Sequence, residues 1–164
     1  MKFLKSIICI SVVMVLSACS DNESAQTYIT KAESSILEKQ NNAAIISLKN
    51  ALKIDGENAH ARFLLGRLYL NDGDAENAVK ELERANKLKY DFDKVLPLLA
   101  RAYILTESDD DVLALEIHEK SLSMPNTQYL AYKTLASLRS GKNELAQAIV
   151  DEALSLFGSD GYSQ

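Results

Sequence analysis

The side chains that could do chemistry are few, and most lack the spacing that chemistry needs. His60 and His118 stand far apart, and no second ligand falls at metal spacing near either. Each reads as a lone surface histidine. Asp109, Asp110 and Asp111 are consecutive, whereas a calcium loop needs oxygens at alternate positions, a glycine and a terminal Glu. Three adjacent acids fit capping and solvation at a helix start better. Gly141-Lys142 has the end of a phosphate loop but lacks the preceding glycine and the following Ser or Thr. No catalytic residue, metal site or cofactor follows. What remains is binding chemistry. Arg67 and Arg101 are 34 residues apart, and two guanidinium groups on neighbouring elements could clamp a carboxylate or an acidic peptide. The bland alternative is that both pair with acids such as Glu33 or Glu76 on a solvated face.

The elements that would position these groups repeat. Segment 25–58 aligns on 59–92 without a gap, and both align on the residues after 93. Ala32, Gly66 and Ala100 are equivalent, as are Ile29, Phe63 and Pro97. In the second half of each unit Ala44 matches Ala78, Leu48 matches Leu82, and Ala51 matches Ala85. The small residues fall where two helices must approach closely, and Leu48, Leu82, Tyr69 and Tyr103 fill the space left. A fixed period of 34 with two amphipathic helices per period signals tetratricopeptide repeats. Each hairpin alone leaves an apolar face in water, and stacking buries it. The predicted fold is all-α, a solenoid of antiparallel helix pairs. Its units are 25–58, 59–92, 93–125 and 126–157.

Turn chemistry punctuates these units. Gly73 can take the left-handed conformation that ends a helix, and Asp74 can cap the next. Asp93 is a plausible cap in unit three, Pro97 lies early in its helix, and Pro125 stops the following one. Glu83–Lys87 and Glu116–Lys120 read as exposed i,i+4 pairs. The pattern weakens after residue 105. A two-residue insertion around Asp109–Asp111 is expected to bring Ala114 and Ser121 into the alanine positions. Unit four carries Ala146 and Ala153 in its second helix. No capping helix follows, so Leu154, Leu156 and Phe157 are expected to be partly uncovered: either the solenoid is truncated, the favoured reading, or those residues meet a partner. A disordered tail is expected over 158–164.

In such arrays the first helix of each unit lines a concave groove. The groove positions estimated from the repeat are Gln26, Ile29 and Glu33 in unit one, His60, Phe63 and Arg67 in unit two, and Lys94 and Arg101 in unit three. Phe63 would supply an apolar anchor beside the arginines.

Residues 1–18 read as a targeting segment. Lys2 and Lys5 precede an apolar run, Ile7–Leu16, interrupted only by Ser11. That run is too short to span ~30 Å of hydrocarbon, which takes about 20 residues. It closes on Leu16-Ser17-Ala18-Cys19, which resembles a bacterial lipobox. The resemblance implies cleavage before Cys19, lipidation of its thiol and acylation of the new amine. A membrane anchor through acyl chains on Cys19 is expected, with a short tether over 19–24. Ser20 in place of an aspartate leans, by the same resemblance, towards the outer membrane of a Gram-negative bacterium. Only Cys9 and Cys19 exist, so no disulfide framework is available. Removing Lys2 and Lys5 takes the formal net charge from −5 to −7, which argues against a nucleic-acid partner, since that needs a basic footprint. The absence of Trp and the scarcity of Pro and Gly suit an all-helical chain.

The stretch from Asn42 to Ile104, and above all Asp93-Lys94-Val95-Leu96-Pro97-Leu98-Leu99-Ala100-Arg101-Ala102, resembles the N-terminal part of the tetratricopeptide lipoproteins of the PEP-CTERM/exosortase system. The resemblance covers about residues 1–140, and members of that family are several times longer. It implies a non-catalytic, periplasm-facing scaffold with a protein or peptide partner in the cell envelope, linked to exopolysaccharide production or sorting of surface proteins. Two other readings stand beside it. One is a pilotin-like or other outer-membrane assembly lipoprotein. The other is an accessory subunit of an envelope enzyme.

Overall fold

The computed structural model describes residues 23–115 and 127–158, the side chains of 156–158 excepted. These residues form helices and turns, with no strand among them. The helices are α1 (Ala25–Leu37), α2 (Asn41–Ile54), α3 (Ala59–Asn71), α4 (Ala75–Lys87), α5 (Phe92–Leu105), α6 (Asp109–Ala114), α7 (Thr127–Arg139) and α8 (Asn143–Gly158). They pack as consecutive antiparallel pairs, and each pair stacks on the one before: α3 on α2, α5 on α4, and α7 on α5 and α6. Cys19, the leader 1–18, residues 19–22 of the tether, Glu116, His118, Lys120, Ser121, Pro125 and residues 159–164 lie outside the described residues, as do the side chains of Leu156 and Phe157. Among the described helices none is long and apolar enough to cross a membrane.

The repeat is visible in the turns. The second helices begin at Asn41, Ala75, Asp109 and Asn143, a constant step of 34. Each first helix ends on a left-handed residue at the same register: Lys39 (φ 59°), Gly73 (82°), Glu107 (58°) and Gly141 (70°). Behind each stands the same pair of backbone hydrogen bonds. Lys39 N–H donates to Ile36 and Gln40 N–H to Ser35, and the bonds from Gly73/Asp74, Glu107/Ser108 and Gly141/Lys142 match them. This is the Schellman arrangement that satisfies the last carbonyls of a helix. Side chains cap the other ends. Ser24 accepts from Thr27 N–H, Asn58 from Ala61 N–H and Asp74 from Asn77 N–H, at 3.0–3.2 Å. Each such cap contributes about 1 kcal/mol.

The constant register overturns the expected insertion in unit three. Val112, not Ala114, occupies the position of Ala44 and Ala78, and it is fully buried while Ala114 is exposed. A β-branched side chain fills the slot, so no shift is needed. Asp93 is not the cap of α5 either: the helix already begins at Phe92, and Asp93 sits in its first turn. Pro97 lies in the second turn, buried, and forgoes one helical hydrogen bond. The acids Asp109 and Asp110 start α6 and also reach into unit four. Asp109 pairs with Arg139 at 3.0 Å and Asp110 with Lys142 at 3.4 Å. Glu83 likewise reaches the next unit, accepting a 2.7 Å hydrogen bond from the Tyr103 hydroxyl.

Small residues set the spacing of the core. Ala32, Ala44, Ala51, Ala78, Ala85 and Ala100 are all fully buried. At Gly66 a Cβ would come 2.7 Å from Leu82 Cγ and 3.2 Å from the Leu82 backbone nitrogen, so α3 and α4 are in backbone-range contact there. One buried polar pair interrupts this apolar interior. Arg62 Nη1 donates to Glu81 at 2.5 Å, and its Nε and Nη2 donate to the Gly56 carbonyl at 3.1 and 2.8 Å.

Candidate functional site

A cleft of about 360 Å³ opens across three successive first helices. From α1 it takes Glu33, Ile36 and Leu37; from α3, His60, Phe63, Leu64 and Arg67. Tyr90, in the turn before α5, and Lys94 of α5 complete it. The stacking of units creates it, because no single hairpin contains more than one of its walls.

Local structure places each group. His60, Phe63, Leu64 and Arg67 fall on one face of α3 through i,i+3 and i,i+4 spacing. Tyr90 is aimed by the turn that ends α4. Lys89 is left-handed (φ 59°), and Lys89 N–H and Tyr90 N–H bond back to Asn86 and Ala85. The Tyr90 ring then stacks on both His60 (5.5 Å between centroids, 4° between planes) and Phe63 (4.8 Å, 24°). Offset aromatic contacts of this kind add about 0.5–1.5 kcal/mol each beyond burial.

The charges in the cleft are unequally matched. His60 Nε2 lies 3.6 Å from Glu33. Lys94 Nζ lies 2.7 Å from Asp91, and that bond, ahead of the simple charge attraction, holds the Asp91 carboxyl below its ordinary range and raises the Lys94 ammonium. Arg67 makes no ion pair among the described residues. Its guanidinium rests 5.6 Å from the centre of the Phe63 ring, a contact favourable for a cation over a π face. The pairing with Glu33 or Glu76 considered above is thus not what holds it, since Glu33 faces His60. The cleft presents an apolar floor and, among the described residues, one cation without a carboxylate.

The residues expected to line a groove separate into groups. His60, Phe63, Arg67 and Lys94 come together in the cleft, with Glu33 opposite. Arg101 does not line it, and is exposed on α5. Gln26 is exposed outside it as well. Ile29, placed on the groove by the repeat, is buried in the core instead, as is Pro97. Phe63 is no projecting anchor: only 5% of it is exposed, with Tyr90 and Arg67 against its ring. The apolar group that projects is Leu37, 85% exposed at the rim. Sequence reasoning missed Leu37, Ile36, Leu64 and Tyr90. Tyr90 carried the one available signal, an aromatic in the short turn between two helices. Among the described residues no three His, Cys, Asp or Glu side chains gather where a metal ion could sit.

Comparison with known proteins agrees with this architecture. The family model described as tetratricopeptide repeat matches residues 35–102. The crystal structure of MamA superposes with a TM-score of 0.69 at 23% identity, covering 89% of this chain and 84% of that one. The crystal structure of the P58(IPK) TPR domain covers 84% of this chain and 42% of its own, at 19% identity and a TM-score of 0.48. No curated protein matches the sequence at a significant level. The helix pairs, the family match and the MamA superposition together show an all-α solenoid of tetratricopeptide type, an architecture that offers extended concave surfaces to other proteins.

Proposed function

We propose that this tetratricopeptide solenoid is a non-catalytic scaffold of the bacterial cell envelope that holds a partner protein through a short acidic-apolar segment. The cleft carries the reading: an apolar floor from Ile36, Leu64 and the Tyr90 ring, beside an Arg67 without a carboxylate among the described residues. A Leu or aromatic side chain would rest on Leu37 and Ile36. An adjacent Asp, Glu or terminal carboxylate would take the Arg67 guanidinium in a charge-assisted pair.

The lipobox-like tetrad ending at Cys19 supports a lipid anchor, since two or more acyl chains hold a protein stably at a membrane. Ser20 favours the outer membrane, with the repeats facing the periplasm. The resemblance carried by Asp93–Ala102 supports a role in exopolysaccharide production or in sorting PEP-CTERM proteins. Labelling with a radioactive fatty acid tests the anchor: Cys19→Ser should abolish it, and a mutant that still labels refutes lipidation there.

The cleft is tested with synthetic peptides that pair Leu or Phe with an adjacent acid. Arg67→Ala should weaken binding about tenfold or more, the scale of a hydrogen bond to a charged group. Thermal stability should fall only by the contact with Phe63, about 0.5–1 kcal/mol, and Arg101→Ala should leave binding intact. Equal effects of both substitutions, or binding that ignores the acid, would refute the assignment of Arg67.

A further inference from the structure

A second surface is left open at the far end of the stack. Between α7 and α8 lies an almost wholly apolar cleft of about 430 Å³, walled by Leu130, Leu135 and Leu138 on one side and Ile149, Val150 and Leu154 on the other. The repeat identifies this cleft. Leu138 is equivalent to Leu70, and Val150 to Leu82 and Leu48. In the inner units these positions are closed: Leu70 is 2% exposed, and Leu48 and Leu82 are fully buried. In unit four Leu138 is 53% exposed, Val150 38% and Leu154 64%.

What closes the equivalent slots is the same kind of helix each time. α3 presents Ala61, Leu64, Leu65 and Leu68 to the first pair, and all four are buried. α5 presents Val95, Leu98, Leu99 and Ala102 to the second. α7 presents Tyr129, Tyr132 and Ala136 to the third. In α3 and α5 the spacing is i, i+3, i+4, i+7, one face of a helix, and α7 keeps i, i+3 and i+7 with Lys133 at i+4. A stacking interface built three times inside the chain thus continues into the slot between α7 and α8.

The chain's own first helix cannot serve as that occupant in a head-to-tail copy. Its equivalent positions are Thr27, Thr30, Lys31 and Ser34, all polar and exposed. The outer face of α1 is thus polar, whereas the slot between α7 and α8 is apolar.

We propose that the cleft between α7 and α8 docks an amphipathic helix of a partner polypeptide, one carrying small and Leu-type side chains at i, i+3, i+4 and i+7. This surface is independent of the Arg67 cleft.

The test uses the full chain and a labelled synthetic peptide of residues 57–73, which carries the α3 stripe. Fluorescence anisotropy should show saturable binding. Leu138→Glu with Val150→Glu places two charges in the slot and should weaken binding at least about tenfold. Both positions are exposed, and circular dichroism checks that the variant keeps its helices. Leu154→Glu, at the most exposed wall position, should weaken binding alone. Arg67→Ala should leave it unchanged. A peptide with Leu64→Asp and Leu68→Asp should not bind. No saturable binding, or binding indifferent to the slot substitutions, overturns the proposal. So does a homodimer in sedimentation equilibrium that Leu138→Glu dissociates, because a second copy would then be the occupant.

Discussion

The buried Arg62–Glu81 pair allows a quantitative test, because the chain supplies its own apolar control. Both side chains are about nine-tenths buried, at 10% and 9% residual exposure. Glu81→Leu alone would strand the guanidinium in the interior with only the Gly56 carbonyl as partner. Removing one partner of a buried pair costs about 3–5 kcal/mol, a large part of the ~5–15 kcal/mol that holds a domain together. Arg62→Leu alone would strand the Glu81 carboxylate at similar cost. The equivalent positions are Leu96 and Leu115 in unit three, and Leu130 and Ile149 in unit four. The architecture therefore accepts two apolar side chains there. Replacing a buried ion pair by apolar groups is neutral or stabilising by roughly 1–4 kcal/mol. Against this stands the Gly56 carbonyl, which loses two donors; it is half-exposed, so water can replace them at about 1 kcal/mol. The double variant Arg62→Leu/Glu81→Leu should thus fall within about 2 kcal/mol of the parent. Urea unfolding followed by helical circular dichroism measures all four proteins of the cycle, with an unchanged slope indicating a common mechanism. A double variant as unstable as the sum of the singles would refute the reasoning, since it would mean the pair does not act as a unit.

Three further outcomes are expected. Gly66→Ala should destabilise despite the better helix former, by about 1 kcal/mol: overpacking against the fully buried Leu82 costs roughly 1–3 kcal/mol and the propensity gain returns about 1. Adding Leu82→Ala should make the effects of the two substitutions less than additive in chemical denaturation. At the left-handed turns, Lys39→Gly and Glu107→Gly should each stabilise by up to about 1 kcal/mol, and Gly73→Ala should destabilise by a similar amount; a destabilised Lys39→Gly would contradict the turn geometry. Burial pushes the Tyr129 hydroxyl from 10.0 up to about 12, and burial together with the bond to Glu83 carries Tyr103 higher still. Because the folded values are raised, this stabilisation is complete below pH 10 and lost as pH climbs through about 12. Phenolate absorbance should therefore show these two of the seven tyrosines ionising last, together with alkaline unfolding.

The legible part of the fold was the part written in local spacing. Ala32, Gly66 and Ala100, with Ala44/Ala78 and Ala51/Ala85, mark close helix contacts because only small residues permit them. Recurrence at 34 residues is enough to imply the pairing. Reading failed where residue type changed while the role did not. Val112 takes an alanine's place, which breaks the alanine recurrence although the register is kept. Lys39 and Glu107 adopt a conformation that glycine signals elsewhere, so only the turns at Gly73 and Gly141 were announced by residue type. Arg62, in the first turn of α3, carries no local signal of burial, yet it is buried against Glu81.

The cleft shows the same division. His60, Phe63, Arg67 and Lys94 could be grouped from the repeat because equivalent positions on stacked helices lie side by side. That Phe63 is covered, that Glu33 faces His60 rather than Arg67, and that Arg101 lies outside the cleft depended on how three units pack and on where the Tyr90 turn sends its ring. The order of residues was enough to set the two-helix unit and its period, since both follow from short-range patterns of size and polarity. Packing between units governed which charges are matched and which surfaces stay open, because those depend on contacts between residues far apart in the chain.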